Sequence, residues 1–185
     1  MSNVIDILVA VDAQSIMQKY VKLSMKVDAP TYIPGVNPYI HMLAQPMYVE
    51  KNQGGSDLAI KAKNGDLIRW RGITLSKDSE YSAALLKFRP ISLDTNQFFS
   101  PPVVNTIHSY VPVLKVDGPI VNPALLDVDL QSTANYHWEI MIKNMPRPGQ
   151  SATENYTFTV GIYENGLLKG YVYWDPAIIL DSTTK

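Results

Sequence analysis

The sequence predicts an all-β protein: an antiparallel, jelly-roll-like β-sandwich with one short helix after the first strand. Three observations carry this. Apolar and β-branched residues recur at every second position in short runs along the chain. Turn signals such as Asn64–Gly65 and Asn165–Gly166, together with 13 prolines, punctuate those runs. One stretch alone has the cap and composition of a short helix. No internal repeat and no linker interrupts the 185 residues, so residues 1–185 read as a single domain, long enough to bury a core without staples.

The elements follow in order. In "NVIDILVAVD", Ile5, Ile7, Val9 and Val11 share one strand face, and Val4, Leu8 and Ala10 the other. Only Asp6 breaks the second face, which predicts a central strand covered on both sides. A buried Asp6 would need an amide or an arginine as partner. Asp12 reads as the N-cap of "AQSIMQKY", a helix of about two turns. Prolines at 30, 34, 38 and 46 make Val27 to Pro46 a long loop or edge segment, because proline cannot donate to a ladder. Two strands then flank the turn at Asn64–Gly65, with Leu58, Ile60 and Ala62 on one face of the first.

Between Gln97 and Leu126, prolines at 101, 102, 112, 119 and 123 separate "VVNTI" and "VPVLKV", predicting edge strands and surface crossings. In "YHWEIMIK", Tyr136, Trp138, Ile140 and Ile142 alternate against His137, Glu139, Met141 and Lys143. "YTFTVGIYENGLLKGYVYW" predicts a hairpin with a type I′ turn at Asn165–Gly166, since both residues tolerate positive φ. Tyr156, Phe158, Val160 and Ile162 line one face of its first arm.

Composition excludes several function classes. Charged residues make up 18% and the formal net charge is −1. So sparse and neutral a surface lacks the basic stripe that neutralises phosphates, which argues against nucleic acid. It also opposes self-association weakly, because like-charge repulsion between molecules is small. With no cysteine, disulfides, thiolate metal sites and cysteine nucleophiles are absent. The N-terminus has no positive leader and its apolar run, Ile7–Val11, is far short of a membrane span, so the expected compartment is the cytosol.

One stretch stands out. "GDLIRWRGITLS" puts Leu67, Arg69, Arg71, Ile73 and Leu75 on one strand face and Ile68, Trp70 and Thr74 on the other. The two guanidiniums point the same way, about 7 Å apart at the backbone. They would either clamp a carboxylate or phosphate, or pair structurally with acids such as Asp66 or Glu80 while Trp70 enters the core. Structural pairing is the favoured reading. Arg69, Arg71 and Asp66 are therefore the candidate ligand or subunit contacts.

Other candidates are weaker. His41, His108 and His137 lie far apart, and Asp127 with Asp129 lacks the spacing of a calcium loop, so no metal or cofactor is expected. "GGSDL" at Gly54–Leu58 has a serine but no nucleophile-elbow context, and no metalloprotease or phosphate-loop motif occurs. Eleven tyrosines and three tryptophans against four phenylalanines suit either wet interfaces or plain strand propensity.

"DILVAVDAQSI", "GDLIRWRGITLS" and "YVYWDPAIIL" together resemble the PixA/AidA family, the inclusion-body proteins of Gram-negative bacteria, over nearly the whole chain. The resemblance implies a non-enzymatic cytoplasmic protein that self-associates into oligomers or crystalline inclusions. It also implies quorum-sensing or stationary-phase control and a link to host association. It implies no catalytic residues. The competing class is a carbohydrate-binding, lectin-like module with its site in the Pro-rich loops at 27–46 and 97–125.

Overall fold

A computed structural model describes residues 2–75, 80–91, 95–115 and 128–182. Among them, alternation of apolar side chains builds twelve strands in two sheets. The first sheet contains β1 (Val4–Val11), β3 (Ile40–Ala44), β6 (Leu67–Thr74), β8 (Val103–Leu114) and β9 (Val128–Met141), in the order β3-β1-β6-β9-β8. The second, seven-stranded, contains β2 (Thr31–Tyr32), β4 (Val49–Lys51), β5 (Ala59–Ala62), β7 (Tyr81–Pro90), β10 (Ser151–Glu164), β11 (Leu167–Trp174) and β12 (Ala177–Asp181). From Phe158 to Glu164, β10 lies between β7 and β11; its first residues, Ser151–Asn155, pair with β12.

The sheets bury their facing sides against each other, as a sandwich must. Ile5, Ile7, Val9 and Val11 come from β1 and Tyr156, Phe158, Val160 and Ile162 from β10, all buried in one cluster. At its centre Trp70 meets Phe88, Tyr156 and Phe158 at ring-centroid distances of 5.3, 5.2 and 5.5 Å. Its Nε1–H donates to the Tyr156 hydroxyl at 2.9 Å. Burial pushes the Tyr156 phenol well above its ordinary range, against a smaller opposing effect of that hydrogen bond.

Local signals act as the sequence predicts. Helix α1 (Ala13–Lys19) is capped by Asp12, whose Oδ1 accepts from Ser15 N at 2.9 Å. The β10–β11 hairpin closes over Asn165 and Gly166 at φ +51° and +76°. The proline-rich segments supply β2, β3 and β8, all at sheet edges. Pro112 sits within β8, which runs through "VVNTI" and "VPV" as one strand.

Two expectations need correction. The sandwich is not wholly antiparallel: β1–β6, β2–β11 and β5–β12 are parallel. Parallel neighbours require a crossover, and residues 12–66 provide one between β1 and β6. Two strands do flank Asn64–Gly65, as the sequence predicts, and they enter different sheets: β5 joins β12 and β4 while β6 joins β1 and β9, so the turn passes the chain from sheet to sheet. Finally, β1 is central but one of its faces is only half covered, with Asp6 and Leu8 half-exposed. A second helical turn, α2 (Thr95–Phe98), follows β7. Pro119, Pro123 and Asp127 lie outside the described residues.

Candidate functional site

The Arg-Trp-Arg motif resolves along the strand alternation. Trp70 enters the core, and Arg69 and Arg71 point to the outer face of the five-stranded sheet. The register sets Arg69 opposite Glu139 on β9, and its Nε donates to Glu139 Oε2 at 2.6 Å. The side chains are 34% and 16% exposed, so the pair is partly screened. An ion pair is what the sequence predicts for Arg69, but the acid is Glu139 rather than Asp66 or Glu80. Asp6 faces Arg69 across the β1–β6 register, on the side away from Glu139.

Asp66 belongs to a different feature. It is buried, and its carboxylate accepts from Asn3 N at 2.9 Å, Asn3 Nδ2 at 3.1 Å and Lys63 N at 2.9 Å. It therefore ties the turn after β5 to the start of β1, and the structure separates it from the two arginines.

Arg71 is exposed. Its neighbour on β1 is Leu8. Among the described residues no carboxylate reaches it. Continuing the β6–β9 register by one residue would bring it opposite His137, but the ladder stops at Trp70–Trp138. The strands part there and leave a cleft of about 360 Å³ walled by Leu8, Arg71, Ile73, Ile107, Ser109 and Asn135. Tyr136 also lines it and is anchored to β7, whose Leu85 carbonyl accepts from Tyr136 Oη at 3.1 Å and Trp138 Nε1 at 2.9 Å. His137, not singled out by spacing, is buried with Nε2 lacking a hydrogen bond; the nearest acid oxygen is Glu139 Oε2 at 3.7 Å. His41 bonds the Gly54 carbonyl through Nδ1 at 3.1 Å, and His108 lies exposed on β8.

A second cleft, about 400 Å³, lies where residues 28–30 cross the outer face of the seven-stranded sheet, lined by Asp28, Pro30, Arg89, Thr157, Thr159 and Tyr173. Its charges satisfy one another. Asp28 Oδ1 accepts from Lys87 Nζ at 2.8 Å and Arg89 Nη2 at 2.7 Å. The Lys87 hydrogen bond, foremost, holds the Asp28 carboxyl below its usual range. This is a clamp on the loop. Asp129 pairs with Lys115 at 3.0 Å, and no cluster of His, Asp or Glu fit to hold a metal occurs among the described residues. Among the same residues no helix is long and apolar enough to cross a membrane.

A long exposed feature of the five-stranded sheet is the β8–β9 ribbon. β8 pairs with β9 over twelve positions, whereas β6 supports β9 only from Trp138 to Met141. The rest, Val128–His137 with its partners, runs for about 30 Å without pairing to β6. Every residue from Val128 to Asn135 is exposed. Tyr110, Leu114 and Leu130 are 73%, 54% and 65% exposed, and the register places them on one face with Pro112 and Val128. β8, "VVNTIHSYVPVL", contains no Lys, Arg, Asp or Glu, and its outer edge is unpaired among the described residues.

A family model described as PixA, inclusion body protein, matches residues 3–180. No curated protein matches the chain. Among solved structures, the crystal structure of the PixA inclusion body protein from Burkholderia cenocepacia J2315 superposes with a TM-score of 0.70 at 21% identity, over 97% of both chains. At that identity the likeness speaks for the fold; the family match, spanning nearly all of the sequence, decides the kinship. The chain belongs to the PixA inclusion body protein family.

Proposed function

We propose that this chain is a non-enzymatic, single-domain protein that self-associates into oligomers or inclusion-type assemblies, with a second copy docking along the β8–β9 ribbon. The observation that carries the reading is the ribbon: uncharged along β8, apolar on one face and open at its edge. A two-stranded ribbon alone is marginal in water, and a long apolar edge invites another strand. Natural sheets usually blunt such edges with lysine, glutamate or several prolines; here Pro112 alone does so. Antiparallel pairing of β8 with its symmetry mate would complete the ladder around a twofold axis and cover both sets of leucines. The near-neutral net charge offers little resistance. The family resemblance extends the reading to a cytoplasmic location in inclusion bodies, stationary-phase or quorum-sensing control and host association.

Carbohydrate binding is the alternative class. It would draw on the cleft under residues 28–30, where Tyr173 and Tyr32 pack at 5.0 Å and Asp175 accepts from Tyr32 Oη at 3.3 Å. The closed Asp28–Lys87–Arg89 cluster leaves that cleft few open polar groups, so self-association is favoured. Reproducible binding on a glycan array would reverse the preference.

Sedimentation velocity over micromolar to millimolar protein tests the main reading. Wild type should shift to larger species with concentration, and the double variant Leu114→Lys/Leu130→Lys should remain monomeric with an unchanged melting temperature. A wild type that stays monomeric throughout refutes self-association. A variant that associates like wild type refutes the ribbon as the contact.

A further inference from the structure

We propose that the fork between β6 and β9 binds an amphipathic monoanion, a carboxylate carrying a short apolar chain, with Arg71 as its anchor. The first ground is charge. Arg69 is occupied by Glu139, but Arg71 meets Leu8 on β1 and only the parting of the strands on the other side. A guanidinium with no acid partner among the described residues, set in a groove, recognises a carboxylate through two parallel N–H bonds.

The second ground is the backbone. Leu67 N donates to Asn3 O and Leu75 N to Val11 O, so odd-numbered residues of β6 bond toward β1. Ile142 N donates to Asp66 O, so even-numbered residues face β9. The β6–β9 ladder ends at Trp70, which leaves Gly72 as the next residue whose peptide groups face the fork, and Gly72 lines the cleft. On the opposite wall Asn135 Nδ2 reaches Ser109 Oγ at 3.5 Å, so an amide and a hydroxyl stand ready for a second ligand oxygen.

The third ground is the remaining wall. Leu8, Ile73 and Ile107 are apolar, and about 360 Å³ lies within the range of clefts that hold small ligands. A single guanidinium with three aliphatic neighbours suits one negative charge with a hydrocarbon tail. It suits poorly a dianionic phosphate, which calls for more cations.

Isothermal titration of the full chain, at concentrations where sedimentation shows a single species, tests this with octanoate, butyrate, octanol and octylammonium. Octanoate should bind saturably. Butyrate should bind at least about tenfold more weakly, because it buries less apolar surface. Octanol and octylammonium should give no saturable heat. Arg71→Ala should weaken octanoate at least about tenfold and Arg71→Lys less, with melting curves matching wild type. Absence of octanoate binding, equal binding of octanol, or an Arg71→Ala protein that binds octanoate undiminished would overturn the proposal. The ribbon-tip variant Leu114→Lys/Leu130→Lys leaves the fork intact and should bind octanoate like wild type, so failure here and failure of self-association are read separately.

Discussion

Replacing Tyr156 with phenylalanine isolates one hydroxyl at the centre of the core. The ring stays, so packing against Trp70 and Phe88 is retained, but Trp70 Nε1–H loses its acceptor at 2.9 Å in a site shut off from water. Leaving a buried donor unpaired costs about 1–3 kcal/mol. For a domain of this size each kcal/mol lowers the melting temperature by about 2–4 °C. The variant has a second signature at high pH. In the unfolded chain tyrosine ionises near pH 10. In the folded protein burial raises the Tyr156 value well above that. Above the unfolded value the unfolded state has released a proton that the native state still holds, so stability is intact below about pH 10 and falls as pH rises toward the folded value. The slope is about 1.4 kcal/mol per pH unit for one fully differential proton. Tyr20 and Tyr136 are also raised, foremost by burial, and add to the wild-type slope. Urea denaturation between pH 9 and 12 should therefore show Tyr156→Phe less stable at neutral pH yet flatter by up to one proton's share in alkali. An unchanged neutral stability, or an alkaline slope identical to wild type, would refute the role assigned to the hydroxyl.

Arg69→Ala should cost about 1–2 kcal/mol, more than an exposed pair because it strands a largely buried Glu139, and less than a fully buried one; chemical denaturation measures it. Asp66→Ala should cost about 2–3 kcal/mol, since Asn3 N and Lys63 N both lose their acceptor, and amide exchange at those two positions should accelerate most. The ribbon variant Leu114→Lys/Leu130→Lys should alter monomer stability by no more than about 0.5 kcal/mol, as both side chains already face water; a larger loss would mean that the ribbon is held from within the molecule.

Much of the fold was legible in the sequence because local physics governs it. Period-two alternation picked out the buried face of β1, the Asn165–Gly166 pair fixed a hairpin by its tolerance of positive φ, and Asp12 capped the helix through an amide three residues away. The same alternation put Arg69 and Arg71 on one face and Trp70 on the other before any partner was known. The identity of those partners was not legible. Glu139 lies 70 residues from Arg69, and only the β6–β9 register joins them. The sequence alone thus determined which segments extend, which faces they bury and that the surface carries little charge, since each depends on a residue and its near neighbours. Tertiary structure alone decided that β5 and β6 enter different sheets, that three pairings run parallel, that His137 is buried and that the β6–β9 ladder ends at Trp70. Strand choice and register minimise exposed apolar area over both sheets at once, and no short window contains that sum.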